Sequence, residues 1–124
     1  MICFIVPGVP VAKPRQTQSD RWKQREPVVK YRQFADLLRL YAYRAGWQEQ
    51  DGGYSITARF VLPVPKSTRN PGLHCVKPDL DNLIKAVSDA LFLRDQQVVR
   101  IQAEKIYDDG NGPRTEILIQ REGV

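Results

Sequence analysis

The sequence predicts a small α/β (α+β) domain, in which a mixed sheet of about four strands carries two helices on one face. Three observations predict this class. Apolar residues alternate with polar ones over 54–64 and 114–120, as in strands with one buried face. Apolar residues recur every three or four positions over 29–47 and 80–92, as in amphipathic helices. The length of 124 residues fits one domain, so one core must serve both helices and the sheet.

The first third of the chain contains a strand, a long polar segment and a helix. Residues 2–6 are apolar without interruption and stop at Pro7, which predicts a short buried strand. The segment 10–27 is polar, basic and interrupted by prolines, which predicts a long loop or arm. The helix over 29–47 is expected to end near Gly46.

The last third of the chain is predicted to hold two strands, which completes the order β-α-β-α-β-β. The strand over 98–107 is expected to place Val99, Ile101 and Ala103 on one side. Residues 108–112, with the sequence DDGNG, are typical of a tight turn. They predict a hairpin that leads into the final strand over 114–120.

The composition excludes several classes of protein. The apolar run 2–6 is far shorter than the roughly 20 residues of a membrane span, and no basic region precedes it as in a signal peptide. We therefore expect a cytoplasmic protein with no membrane partner. Cys3 and Cys75 are expected to be reduced thiols, with Cys3 in the core. The single histidine, His74, argues against zinc, and no glycine-rich motif indicates a small-molecule cofactor.

The net charge of +5 lies entirely in the first 50 residues, whereas the rest of the chain is balanced. Basic residues concentrate in the arm 10–27 and in the loop that precedes Pro78. Clusters of this kind bind a polyanion such as DNA through its phosphates, although a solvated surface is the alternative. The candidate DNA-binding residues are Lys13, Arg15, Arg21, Lys23, Arg25, Lys66, Arg69 and Lys77.

The segment 77–85, with the sequence KPDLDNLIK, contains the candidate metal ligands and a candidate phosphate contact. Asp79 and Asp81 stand two positions apart where a loop enters a helix, so in an extended backbone their side chains share one side. Carboxylate oxygens are the ligands that Mg²⁺ or Mn²⁺ prefers. Lys85, one helical turn beyond Asp81, suits contact with a phosphate. Two alternatives remain: the aspartates cap the helix, or Asp81, Lys85 and Asp89 form an exposed ladder of ion pairs.

With this segment, followed by Asp89-Ala90-Leu91 and Asp95-Gln96-Gln97-Val98, the sequence resembles the RusA family of Holliday-junction resolvases. Pro7-Gly8 and Lys13-Pro14-Arg15 are also similar to the N-terminal region of that family. The resemblance implies a single endonuclease domain over 1–124 and a homodimer that binds four-way junction DNA. It implies Mg²⁺-dependent, paired and symmetric cleavage in DNA recombination and repair, with Mn²⁺ as a possible substitute. It assigns catalysis to Asp79, Asp81, Lys85 and Asp95, and the metal to the three aspartates.

The position of Asp95 constrains this assignment. A helix over 80–92 is about 20 Å long, and three further residues extend at most about 10 Å. Asp95 therefore reaches a metal held by Asp79 and Asp81 only if the helix ends early; otherwise Asp95 completes the site of the partner protomer. Two other functions fit the same residues. One is a nucleic-acid-binding module without catalysis, and the other is a metal-dependent nuclease that acts on another branched DNA or on RNA.

Overall fold

The computed structural model describes residues 1–14, 26–68 and 71–123. Its elements follow the predicted order β-α-β-α-β-β, with one short 3₁₀ helix added. The predicted fold class is confirmed, because a mixed four-stranded sheet is combined with two helices. The elements are β1 (Ile2–Pro7), α1 (Glu26–Arg44), β2 (Gly53–Leu62), α2 (Leu80–Leu91), the 3₁₀ helix (Asp95–Gln97), β3 (Val98–Tyr107) and β4 (Arg114–Gly123).

The first helix begins and ends earlier than the sequence predicted. α1 starts at Glu26, and Pro27 occupies its first turn, where the N–H that proline lacks would have had no partner within the helix. The helix stops two residues before Gly46, which has a φ of +93°, a left-handed conformation that glycine adopts without strain. Trp47 therefore lies outside the helix. Its indole N–H donates to the Leu91 carbonyl at 3.0 Å and so ties the end of α1 to the end of α2.

The strands are arranged in the order β1-β4-β2-β3, so the last strand in sequence lies inside the sheet. β4 pairs antiparallel with both β1 and β2, whereas β3 pairs parallel with β2. The predicted hairpin between β3 and β4 is therefore wrong. Residues 108–112 do form a turn, in which the Asp108 carboxylate accepts the N–H groups of Gly110 and Gly112 at 3.0 and 2.9 Å. The crossover through α2 places β3 on one side of β2, and β4 pairs on the other side. The turn therefore leads the chain past the end of β2.

Both helices pack on one face of the sheet, where alternate strand residues are buried. The register places Phe4, Ile117 and Ala58 side by side in one row across three strands. Ile56 and Phe60 of the neighbouring rows are fully buried. The helices cover these rows with apolar side chains that include Phe34, Leu38, Leu83 and Val87.

β3 departs from the predicted alternation at one residue. Tyr54 pairs with Val98 and Ser55 pairs with Arg100, so Val99 has no residue opposite it and forms a bulge. Beyond the bulge, alternate residues of β3 point to the face that the helices cover. One of them is Lys105, which lies opposite the buried Phe60.

The other face of the sheet carries no helix within the described part of the chain. Cys3 lies on this face and is exposed, which corrects the prediction that it belongs to the core. The reason is that β1 has one covered and one open side, so only alternate residues are buried. Arg59 on the open face pairs with Glu104 at 2.6 Å and with Glu116 at 3.6 Å, beside a shallow groove of about 590 Å³. Among the described residues, no helix combines the length and apolar character that crossing a membrane requires.

Candidate metal centre and nucleic-acid interface

Asp79 is the residue at which the chain enters α2. Its backbone is extended, with φ −72° and ψ 139°, and its carbonyl accepts the N–H of Leu83 at 3.1 Å. Its carboxylate makes no capping hydrogen bond to the helix, although Asp79 occupies the N-cap position. The side chain is exposed. Helix capping therefore does not account for the Asp79 carboxylate, which is left accessible for another ligand.

Asp81 lies in the first turn of α2 and is also exposed. One of its carboxylate oxygens accepts the N–H of Asn82 at 3.0 Å. A negative charge at this end of a helix is favoured by the helix dipole, so Asp81 does contribute to the helix start. The two exposed carboxylates fit Mg²⁺, which proteins commonly hold through one or two carboxylates together with substrate phosphates.

Lys85 is exposed in the middle of α2, one turn after Asp81. The ladder of ion pairs, one of the two alternatives to a metal site, is not formed: in the described part of the chain, no ion pair joins Lys85 to Asp81 or to Asp89. Asp89 instead pairs with Lys13, at 2.5 Å. The ammonium of Lys85 therefore stays on the side of α2 that carries Asp81, without being neutralised by either aspartate.

Asp95 is the first residue of the 3₁₀ helix and is exposed. α2 has 12 residues, which span about 18 Å, and it ends only one residue before the predicted end. Within residues 1–14, 26–68 and 71–123, no three His, Cys, Asp or Glu side chains are grouped so that they could hold one metal ion. Asp79, Asp81 and Asp95 of one chain are thus not brought together as a ready three-ligand site.

The segment that carries Asp95 is held by the turn before β2. The Glu49 carboxylate accepts the N–H groups of Leu93 and Arg94 at 2.7 and 3.1 Å. The Arg94 guanidinium donates to Asp51 at 2.6 Å, and this bond lowers the pKa of the Asp51 carboxyl below its ordinary value. No local pattern in the sequence indicates these supports, because 43 to 45 positions separate the partners.

The family resemblance implies that Asp95 is a metal ligand, so we expect Glu49→Ala to lower DNA cleavage without unfolding the chain. The substitution leaves two backbone N–H groups without their carboxylate, so the segment before Asp95 loses its anchor. A partly exposed pair of such bonds stabilises the fold by about 1 kcal/mol. DNA cleavage should fall about tenfold while DNA affinity, measured in EDTA, stays the same. Glu49→Gln keeps an acceptor for only one of the two N–H groups, so its loss should be at most that of Glu49→Ala. Unchanged cleavage in Glu49→Ala would contradict the role of the anchor.

A protein-family model described as endodeoxyribonuclease RusA matches residues 7–120, which is most of the chain. The chain belongs to the RusA family. The uncharacterized protein YqaN of Bacillus subtilis (strain 168) is a similar protein, 33% identical over 138 aligned positions that cover 96% of this chain and 95% of YqaN. Membership in the RusA family makes this chain an endodeoxyribonuclease, a hydrolase of DNA phosphodiesters. The matched range contains α2 entirely, together with Asp79, Asp81, Lys85 and Asp95.

Three of the candidate DNA-binding residues lie within the described part of this RusA-family chain. Lys66 and Lys77 are exposed in the segment between β2 and α2. Lys13 is tied to α2 instead: its backbone N–H donates to the Asn82 carbonyl at 3.2 Å, and its ammonium binds Asp89. That bond raises the pKa of Lys13 above its ordinary value. The remaining candidates lie outside the described residues: Arg15, Arg21, Lys23, Arg25 and Arg69.

The segment before Asp79 is anchored by His74. Its imidazole is buried and packs against the Tyr107 ring, with 4.6 Å between the ring centres. Burial lowers the pKa of His74 below its ordinary value of 6.5, and the positive charge of Lys105 acts in the same direction. The folded state therefore binds a proton at His74 less readily than the unfolded state does.

We expect this difference to make the fold less stable in mild acid. As the pH falls below about 6.5, the unfolded chain takes up a proton at His74 before the folded chain does, so the free energy of unfolding decreases. His74→Phe keeps an aromatic ring against Tyr107 but cannot be protonated. Urea unfolding at pH 7.5 and 5.5 should show a smaller loss for His74→Phe than for the unchanged chain; equal losses would contradict the prediction.

Proposed function

We propose that this chain is a Mg²⁺-dependent resolvase that cleaves four-way DNA junctions at paired, symmetric positions. The observation that carries the proposal is the exposed pair Asp79 and Asp81 at the start of α2, in which Asp79 makes no capping bond to the helix. In a chain of the RusA family, this pair matches the metal-binding motif that the family resemblance indicates. Recombination and repair are the processes in which such junctions arise.

The roles of the residues follow from their chemistry. Asp79 and Asp81 would hold Mg²⁺, which when bound supplies an activated water and offsets phosphate charge. Lys85 places a positive charge one turn along the same helix, where it stabilises the negative charge that develops on the phosphate. Lys13 of the basic arm lies beside Asn82, because its backbone N–H donates to the Asn82 carbonyl. The arm and the loop carrying Lys66 and Lys77 would contact DNA backbones without reading base sequence.

A homodimer would supply the third carboxylate. α2 extends to Leu91, and the described residues of one chain do not group Asp79, Asp81 and Asp95. These observations support the proposal that Asp95 completes the site of the partner protomer. A two-fold dimer would also present two sites to the two opposed strands of a junction. The open sheet face does not suit DNA, because Arg59 is neutralised there by Glu104 and Glu116.

The direct test is cleavage of a synthetic mobile four-way junction beside a linear duplex, a flap and a matched RNA junction. Each substrate is incubated with Mg²⁺, with Mn²⁺ and with EDTA. We expect paired nicks at symmetric positions on the DNA junction alone, lost in EDTA. Junction binding without cleavage in either metal would contradict the proposal and favour a binding module. Cutting of the flap or of RNA in preference to the DNA junction would favour a different metal-dependent nuclease.

A further inference from the structure

Lys105 of β3 holds the segment that leads into Asp79. Its ammonium donates to the Val76 carbonyl at 2.6 Å and to the Pro78 carbonyl at 2.9 Å. Both bonds are charge-assisted, which makes them stronger than bonds between neutral groups. Lys105 is half-buried on the face of the sheet that the helices cover, opposite Phe60. A charged residue in that position is costly unless its donors are used, and here two of its three are used.

The bond to Pro78 bears directly on Asp79. The Pro78 carbonyl and the Asp79 nitrogen belong to the same peptide group, whose atoms lie in one plane. When Lys105 holds that carbonyl oxygen, it also sets the orientation of the Asp79 nitrogen and α-carbon. The extended φ and ψ of Asp79 then decide where its carboxylate stands relative to Asp81 in the first turn of α2.

A second contact confines the same segment from the same strand. His74 packs on the Tyr107 ring, two residues along β3 from Lys105. Residues 74–79 belong to no helix or strand, so these contacts supply order that secondary structure does not. Tyr107 and His74 hold the segment by packing, whereas Lys105 holds it by hydrogen bonds next to the acid pair.

We propose that Lys105 is a positioning residue for the metal-binding pair: it orients the backbone at Asp79 so that the two carboxylates face one ion. This inference rests on the proposed metal site, but its structural part does not need activity to be tested. Lys105 contacts neither of the two carboxylates in the described hydrogen bonds, and it acts through the Pro78 peptide. The side chains of Val76 and Lys77 are exposed, so they do not orient the Asp79 backbone in this way.

The first readout is amide hydrogen exchange of the full chain without DNA or metal. Lys105→Met has nearly the same side-chain length but no donors. The Leu83 amide donates to the Asp79 carbonyl, and its exchange should then accelerate at least about tenfold. Lys105→Arg, which keeps charge and donors, should restore slow exchange. Arg100→Met removes a positive charge from the open side of the same strand and should leave exchange at the Leu83 amide unchanged. Unchanged exchange in Lys105→Met, or acceleration spread equally over the whole sheet, would overturn the proposal.

The second readout is the Mg²⁺ concentration that gives half-maximal cleavage of the four-way junction. We expect Lys105→Met to raise it about tenfold, with the rate partly recovered at high Mg²⁺ and with junction affinity in EDTA unchanged. Lys105→Gln keeps two donors without the charge, so it should raise this Mg²⁺ concentration less than Lys105→Met does. It serves as the test variant if Lys105→Met fails to fold. A lower rate at an unchanged Mg²⁺ requirement would contradict positioning. If the unchanged chain cleaves no substrate, the proposed function fails while the exchange experiment still decides the role of Lys105.

Discussion

Replacing Asp81 with Asn is expected to abolish DNA cleavage and to leave the four-way junction bound as tightly as before, or more tightly. The variant removes one of the two exposed carboxylates at the start of α2 but keeps an oxygen that can accept the Asn82 N–H. Loss of a metal ligand should lower the cleavage rate at least about 10²-fold. Removal of a negative charge close to the DNA phosphates should strengthen binding, most visibly at low salt.

The matched control is Asp36→Asn. Asp36 is also an exposed aspartate on a helix, and within the described residues it pairs only with Arg39, at 3.1 Å on α1. An exposed pair of this kind contributes at most a few tenths of a kcal/mol, so cleavage and stability should both be unchanged. Cleavage is measured on a labelled junction at saturating protein, and affinity is measured in EDTA. If Asp81→Asn cleaved normally, or if it lowered only the free energy of unfolding, the aspartates would be structural and the chain would be a binding module.

Mixing two inactive variants is expected to restore cleavage if Asp95 completes the site of the partner protomer. Asp81→Asn and Asp95→Asn should each be inactive alone, because every site lacks one carboxylate. In a mixed dimer, however, one site would carry both substitutions and the other would carry neither. With random exchange of protomers, half of the dimers are mixed, so about a quarter of all sites are intact. These dimers should nick one strand of the junction without producing the paired cut.

The outcome separates the two arrangements of the site. If all three aspartates came from one chain, each protomer of the mixed dimer would carry one substitution, and no activity would return. Protomers are exchanged by brief partial denaturation and refolding, and the mass in solution is measured for each variant and for the mixture. An unmixed preparation of each variant, treated identically, is the control. A purely monomeric chain in the presence of junction DNA would contradict the dimer itself.

Much of the fold could be predicted because it depends on local periodicity. The alternation over 54–64 and the three-to-four spacing over 80–92 correspond closely to β2 and α2. The helix limit near Gly46 was also predictable, because a positive φ is tolerated there only by glycine among common residues. The turn at 108–112 is an element for which the local pattern does not predict the strand pairing. Its residues specify a reversal of the chain, but they do not specify which strand the reversed segment pairs with.

The candidate site could likewise be predicted in part from local patterns. The sequence was sufficient to place Asp79 and Asp81 at the start of one helix and Lys85 one turn along it, and the structure places them there. The sequence left open whether Asp79 caps that helix, and only its side-chain geometry rules out the capping bond. The ladder from Asp81 through Lys85 to Asp89 was plausible from helical spacing. It is not formed among the described residues, and Asp89 pairs instead with Lys13 from another part of the chain.

Local sequence patterns are sufficient to predict the order of the elements, the acid pair at the start of α2 and the basic arm that precedes α1. These features involve residues within a few positions of one another, so the local backbone conformation sets the relative positions of their side chains. The supports of the candidate site, in contrast, are visible only in the folded chain. Lys105 reaches the Pro78 carbonyl across 27 positions of sequence, and Glu49 reaches Arg94 across 45. Such contacts follow from strand pairing and helix packing, because it is the folded sheet that brings distant backbone groups within hydrogen-bond distance.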